Sequence, residues 1–182
     1  MMRRHRQNDI RNIAMLAAIA AVIVSASCAL ALIRSYPNPQ GSVNDFANIL
    51  TPATRDRLEN VMTNLFNKTG DAVVVVTVDK TDPQTLEEYA TGIFSQWGIG
   101  DKKKDTGILL LIAPNNPTGR KIKIETGYGM EGTLTDIESG RIINDIMVPV
   151  CKEGKLDACT EQGAMAIVTK VAKESGIAVE EL

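Results

Sequence analysis

The sequence has 182 residues, 44% hydrophobic and 23% charged, with a formal net charge of −2. That is a one-domain length with room for a real core and one appendage, and the composition excludes a disordered chain. The charge is unevenly spread: Arg3, Arg4, Arg6, Arg11 and Arg34 face only Asp9 before residue 35, so the remainder is acidic and nucleic acid is not an expected partner.

The basic tail, residues 1–12, also holds His5, the only histidine. Ser-His-Asp and Cys-His catalysis, phosphohistidine chemistry and His-ligated zinc are therefore excluded for residues 35–182. Ile13 to Ile33 carries no charge and makes a helix of about 31 Å at ~1.5 Å per residue. That length matches the ~30 Å hydrocarbon core and predicts one transmembrane signal-anchor over 13–33. Four arginines precede it, which keeps the N-terminus cytoplasmic and places the rest on the extracytoplasmic side. Two rival readings stand: a cleaved signal peptide ending near Ala29-Leu30-Ala31, and a lipoprotein box at Ser25-Ala26-Ser27-Cys28. All three export the domain.

Residues 34–42, with Pro37, Pro39 and Gly41, read as a semi-stiff linker. Thr51-Pro52 then predicts a helix start, Leu58, Val61, Met62 and Leu65 follow at helical spacing, and Gly70 ends it. The β-branched run from Ala72 to Val78 predicts a central strand buried on both faces. Asp82-Pro83 opens a second helix with Leu86, Tyr89, Ala90, Ile93 and Trp97 on one side. After the polar loop Gly98 to Thr106, Gly107 to Ala113 is a second apolar strand. A turn over Pro114 to Gly119 leads to Lys121-Ile122-Lys123-Ile124-Glu125, whose alternation predicts a half-exposed antiparallel strand. Thr135-Asp136-Ile137-Glu138 is a capping box for a third helix to about Met147, which Pro149 stops. A fourth helix runs from about Leu156 to Ser175, before Gly176.

Strand–helix–strand connectivity forces a parallel central pair with helices on both faces. The expected fold is α/β, a three-layer α/β/α sandwich on a small mixed β-sheet, preceded by one N-terminal transmembrane helix. The domain occupies 43–176 and a tail 177–182. Cys151 and Cys159 have two readings: a small disulfide loop that turns at Gly154, or two partly buried thiols.

The same topology brings Asp105 and the segment Glu125 to Gly132 to one edge of the sheet, where the third helix also begins. Asp101, Asp105, Glu125, Glu131 and Asp136 are thus expected near one another. Carboxylates beside glycine-rich backbone suit a hard, oxygen-seeking cation, Ca²⁺ or Mg²⁺. Each acid also has a plainer role: Asp136 complements a helix dipole, Asp101 pairs with the neighbouring lysines, and Glu125 faces solvent. Gly127-Tyr128-Gly129-Met130-Glu131-Gly132 satisfies GxGxxG, but it follows a hairpin and carries an acid, so no nucleotide cofactor is expected. Lys102-Lys103-Lys104 reads as a solvated turn or as an attractor for an anionic substrate.

The sequence resembles the TPM domain family of thylakoid-lumen and bacterial envelope proteins. The resemblance rests on Val43-Asn44-Asp45-Phe46-Ala47, on Gly98 to Leu111, on Glu125 to Asp136 and on Gly140-Arg141-Ile142-Ile143. It implies a membrane-tethered or lumenal domain that binds Ca²⁺ or a related ion and maintains or scaffolds an envelope complex through a protein partner. Some family members resemble acid phosphatases, so a metal-dependent phosphatase is the alternative. Carried over by position, the implied metal ligands are Asp45, Asp105 and Asp136, with Glu131 as a further candidate; no catalytic residue is implied. Cys151 and Cys159 are not part of the pattern. Many relatives also end in a transmembrane helix or glycine-rich tail, whereas here the apolar segment stands in front.

Overall fold

Strand β1, Val43–Asp45, is followed by helix α1, Pro52–Thr69. Thr51 accepts from the Thr54 N–H at 3.2 Å, proline occupies the first turn, and Gly70 closes the helix in the left-handed conformation at φ 80°. Leu58, Met62 and Leu65 form its fully buried stripe. These features are described by a computed structural model covering residues 36–182, save Lys102 and Thr118. The basic tail, the predicted anchor over 13–33 and Cys28 lie outside the described residues, among which no helix is long and apolar enough to cross a membrane.

Strand β2, Ala72–Thr77, leads into helix α2, Leu86–Trp97, which a capping box between Thr85 and Glu88 starts and Gly98 ends. Strand β3, Gly107–Ile112, is buried at every residue, as a central strand should be, and β4, Ile122–Thr126, returns beside it. The four strands lie in the order β1-β2-β3-β4, the first three parallel and β4 antiparallel.

β1 corrects the expectation of three strands, which places no strand ahead of the first helix. Its three residues are too few to show a period of two. Pairing is what makes it a strand: Val43, Asn44 and Asp45 stand opposite Val75, Val76 and Thr77.

A 3₁₀ turn, Tyr128–Met130, separates β4 from a rod made of α3 (Asp136–Arg141), a π-helical segment (Ile142–Met147) and α4 (Val148–Lys152). The capping box at Thr135 and Glu138 forms. Pro149 does not stop the helix as expected. The wider π turn ahead of it makes room for a ring that an α-helix would drive against the carbonyl four residues back. Helix α5, Leu156–Glu174, completes the fold before a last 3₁₀ turn, Val179–Glu181. The turn between the rod and α5 runs through Gly154 at φ 78°, and Cys151 and Cys159 are joined across it in a disulfide with Cα atoms 5.2 Å apart. Of the two readings for these thiols, the bridge is the one formed.

Strand alternation assigns the layers. Val73, Val75, Ile108, Leu110, Ile122 and Ile124 share a core with α1 and with Ile167, Val168 and Val171 of α5. Leu109 and Leu111 point the other way, where α2 covers β3 and β4 and the Thr91 hydroxyl donates to Glu125 at 3.1 Å.

Candidate functional site

The end of the sheet where β3 begins is built around Asp105. Its backbone N–H donates to the Asp101 carbonyl at 2.6 Å, and its own carbonyl accepts from Gly129 at 3.1 Å. Its carboxylate accepts from the Tyr128 N–H at 2.9 Å. These contacts hold it at φ 53°, a conformation uncommon for a residue with a side chain, though one that Asp tolerates. Asp101 organises the loop itself: one carboxylate oxygen accepts from the N–H groups of Lys103 at 2.8 Å and Lys104 at 2.9 Å. Those two backbone donors, Lys104 first, hold its carboxyl below the ordinary range.

The glycine-rich segment owes its composition to this packing. A Cβ at Gly127 would run into the Asp105 carbonyl oxygen, and one at Gly129 into the Lys104 carbonyl oxygen. Tyr128, between them, is 79% exposed. The glycines therefore serve close backbone approach.

Glu131 follows the 3₁₀ turn on the surface at the same end. Asp136 opens α3, also exposed, and faces a cavity of about 770 Å³ between the rod and the β3–β4 hairpin. The rod lies antiparallel to α5, since Glu138 pairs with Lys170 at 2.8 Å near one end and the disulfide ties the other. Asp157, at the start of α5, accepts from the Thr51 N–H at 2.8 Å, so α5 begins where β1 and β2 end. Asp136 is thus at the Asp105 end of the sheet.

Asp45 is at the opposite end. It pairs with Thr77, five residues along β2 from Ala72, and Ala72 is the partner of Gly107; about 17 Å of strand separates the two ends. Its carboxylate accepts from the N–H groups of Ile49 at 3.1 Å and Leu50 at 3.0 Å and from the Thr77 hydroxyl. Asp45 closes the β1–α1 loop. Glu125, next to the last residue of β4, pairs with Lys123 at 3.1 Å and accepts from the Thr91 hydroxyl.

The structure thus groups Asp105, Glu131 and Asp136 at one end and sets Asp45 apart. Among the described residues no three His, Cys, Asp or Glu side chains lie close enough to hold a metal. The four acids do not form a preassembled shell of the six to eight oxygens that Ca²⁺ takes. What the sequence missed is the cavity: its basic rim, Arg120, Lys121 and Lys152, comes from a hairpin turn and a helix end that no motif connects.

The TPM domain family matches the chain over residues 43–170. Among solved structures, the N-terminal domain of a P. gingivalis protein is 28% identical with a TM-score of 0.65, covering 72% of this chain and 82% of that one. The N-terminal domain of a Corynebacterium glutamicum protein is 14% identical with a TM-score of 0.56, covering 81% and 90%. A protein of the psychrophilic bacterium Bizionia argentinensis is 17% identical with a TM-score of 0.56, covering 68% and 82%. The last two show a shared fold alone. Among curated proteins the sequence has no significant match.

Proposed function

The chain belongs to the TPM domain family, and from that membership we propose that it is a membrane-tethered, extracytoplasmic binding module that scaffolds or maintains an envelope complex. The observation that carries this reading is the Cys151–Cys159 disulfide. Such bonds persist in oxidising compartments and are rare in a reducing cytosol. The arginine-flanked apolar stretch before the domain supports the same side of the membrane.

A divalent cation, Ca²⁺ or Mg²⁺, belongs to the proposal at the Asp105 end, with Asp105, Glu131 and Asp136 as the ligands it would draw together. When bound it would supply charge that locks the loop, the 3₁₀ turn and the start of α3 to one another. Asp45 is left out of that set, because its oxygens already take two backbone N–H groups and a hydroxyl. The phosphatase alternative lacks a comparable observation: the sequence from residue 35 contains no histidine to move a proton.

Sided thiol chemistry on whole cells tests the reading. The full chain should stay with carbonate-washed membranes, and protease added outside the cytoplasmic membrane should digest the domain. Alkylation before reduction should leave Cys151 and Cys159 unmodified. Two freely alkylated cysteines in a protease-protected domain would sink the proposal.

A further inference from the structure

The rod carries a glycine that neither its backbone nor its packing demands. Gly140 lies inside α3 and is not among the glycines at positive φ, so it sits where glycine weakens a helix relative to alanine. A Cβ there would meet nothing within 4 Å. Gly163 in α5 differs, because a Cβ there would run into the Met147 side chain. Gly140 instead lines the cavity of about 770 Å³ between the rod and the hairpin. That volume is within the range that one small ligand fills.

The cavity is apolar along its walls and cationic at one end. Ile112 and Ile122 lie buried beneath it, while Pro114, Ile143, Val148 and Leu156 are half-buried and keep apolar surface open to it. Arg120 and Lys121 come from the hairpin turn, and Lys152 from the end of the rod; all three are exposed. Arg120 reaches Glu87 only at 3.9 Å, and among the described residues Lys121 and Lys152 have no anionic partner. The one acid on the lining, Asp136, begins the rod. Sixteen helical steps at ~1.5 Å put it about 24 Å from Lys152.

We propose that this cavity binds a single-chain anionic amphiphile, a fatty acid in its carboxylate form. The carboxylate lies among Arg120, Lys121 and Lys152, and the chain runs along Val148 and Ile143 toward Gly140. Charge sets the orientation, because a reversed ligand would bring its carboxylate to Asp136 and its chain to three cations. The side chain missing at Gly140 leaves room for the apolar tail. A ligand of this class goes beyond the scaffolding reading and does not depend on it.

Photolabelling of the full chain in phosphatidylcholine nanodiscs tests this, with a palmitate that carries a mid-chain diazirine as the probe. Cross-links should map to residues 140–148 and to the hairpin wall at Ile122, and excess palmitate should suppress them. Gly140→Leu fills the tail site and should cut this labelling by about tenfold or more. Its melting temperature should hold or rise, since leucine is the better helix former and meets no neighbour at its Cβ. Arg120→Glu with Lys152→Glu, at exposed positions, should also cut labelling about tenfold or more. Labelling of the nanodisc scaffold protein should stay constant and so report equal supply of probe. Unchanged labelling in either variant, or no cross-links in these segments, overturns the proposal. So does equal labelling of the same residues by a photoreactive phosphatidylglycerol, which would make the ligand a two-chain bilayer lipid. The sided thiol experiment bears on none of these outcomes.

Discussion

Glu138 shows how little a residue's type says about its state. Its carboxylate caps α3 through the backbone and hydroxyl of Thr135 and also meets Lys170 at 2.8 Å. Lys170, then Thr135, lowers its pKa from an ordinary value near 4.5 to about 2. A carboxyl that titrates lower in the folded chain contributes stability fully above pH 4.5, and that contribution is lost as pH falls toward 2. The melting-temperature gap between the parent and Glu138→Gln should therefore shrink steadily over this window, and high salt should narrow it further because solvent reaches the pair. A gap that does not vary with pH would mean that the cap, not the charge, matters. Sequence pattern found the capping box, since Thr135 and Glu138 are local. It had no means of finding Lys170, which arrives from another helix.

At the scale of elements, the loop before β3 and the glycine segment after β4 form one unit because their backbones touch. Gly129→Ala would force a Cβ onto the Lys104 carbonyl, a rigid neighbour rather than a flexible side chain. The expected loss is about 2–4 kcal/mol, within the range for backbone strain at a special position. Gly132→Ala, where nothing lies within 4 Å, is the control. Urea unfolding of both variants decides the point; equal stabilities would contradict the close packing. The sequence made this edge legible because hairpin topology fixes which segments meet. It misjudged two elements for definite reasons. β1 is too short to carry periodicity, and Pro149 is tolerated because the preceding turn is π rather than α, a register choice that side-chain pattern does not encode.

For the whole molecule, the placement of acids at two ends of the sheet sets the proposed ion site at Asp105 apart from Asp45, which holds the β1–α1 loop. Titrating the metal-free full chain with Ca²⁺ or Mg²⁺ should raise its unfolding temperature, with about 2.7 kcal/mol of stabilisation at ~100 times the dissociation constant. Asp105→Asn should remove that rise while staying folded, since Asn accepts the same backbone bond and tolerates the left-handed conformation. Asp45→Asn should lower the baseline and keep the rise. Loss of the rise in Asp45→Asn alone, or no rise in the parent, would defeat the ion site at Asp105. Family resemblance had joined Asp45 to the others, because matching positions along a sequence carries no information about which end of a strand each occupies. The chain steps the same way across the sheet from β1 to β2 to β3, yet α1 covers one face and α2 the other. Two crossovers of the same hand would stack on one side, so one of these is left-handed, against the strong preference of such connections. That reversal of chirality is what lets two crossover helices clothe both sides of a four-stranded sheet. The later helices are then free to gather on one face and overhang its edge.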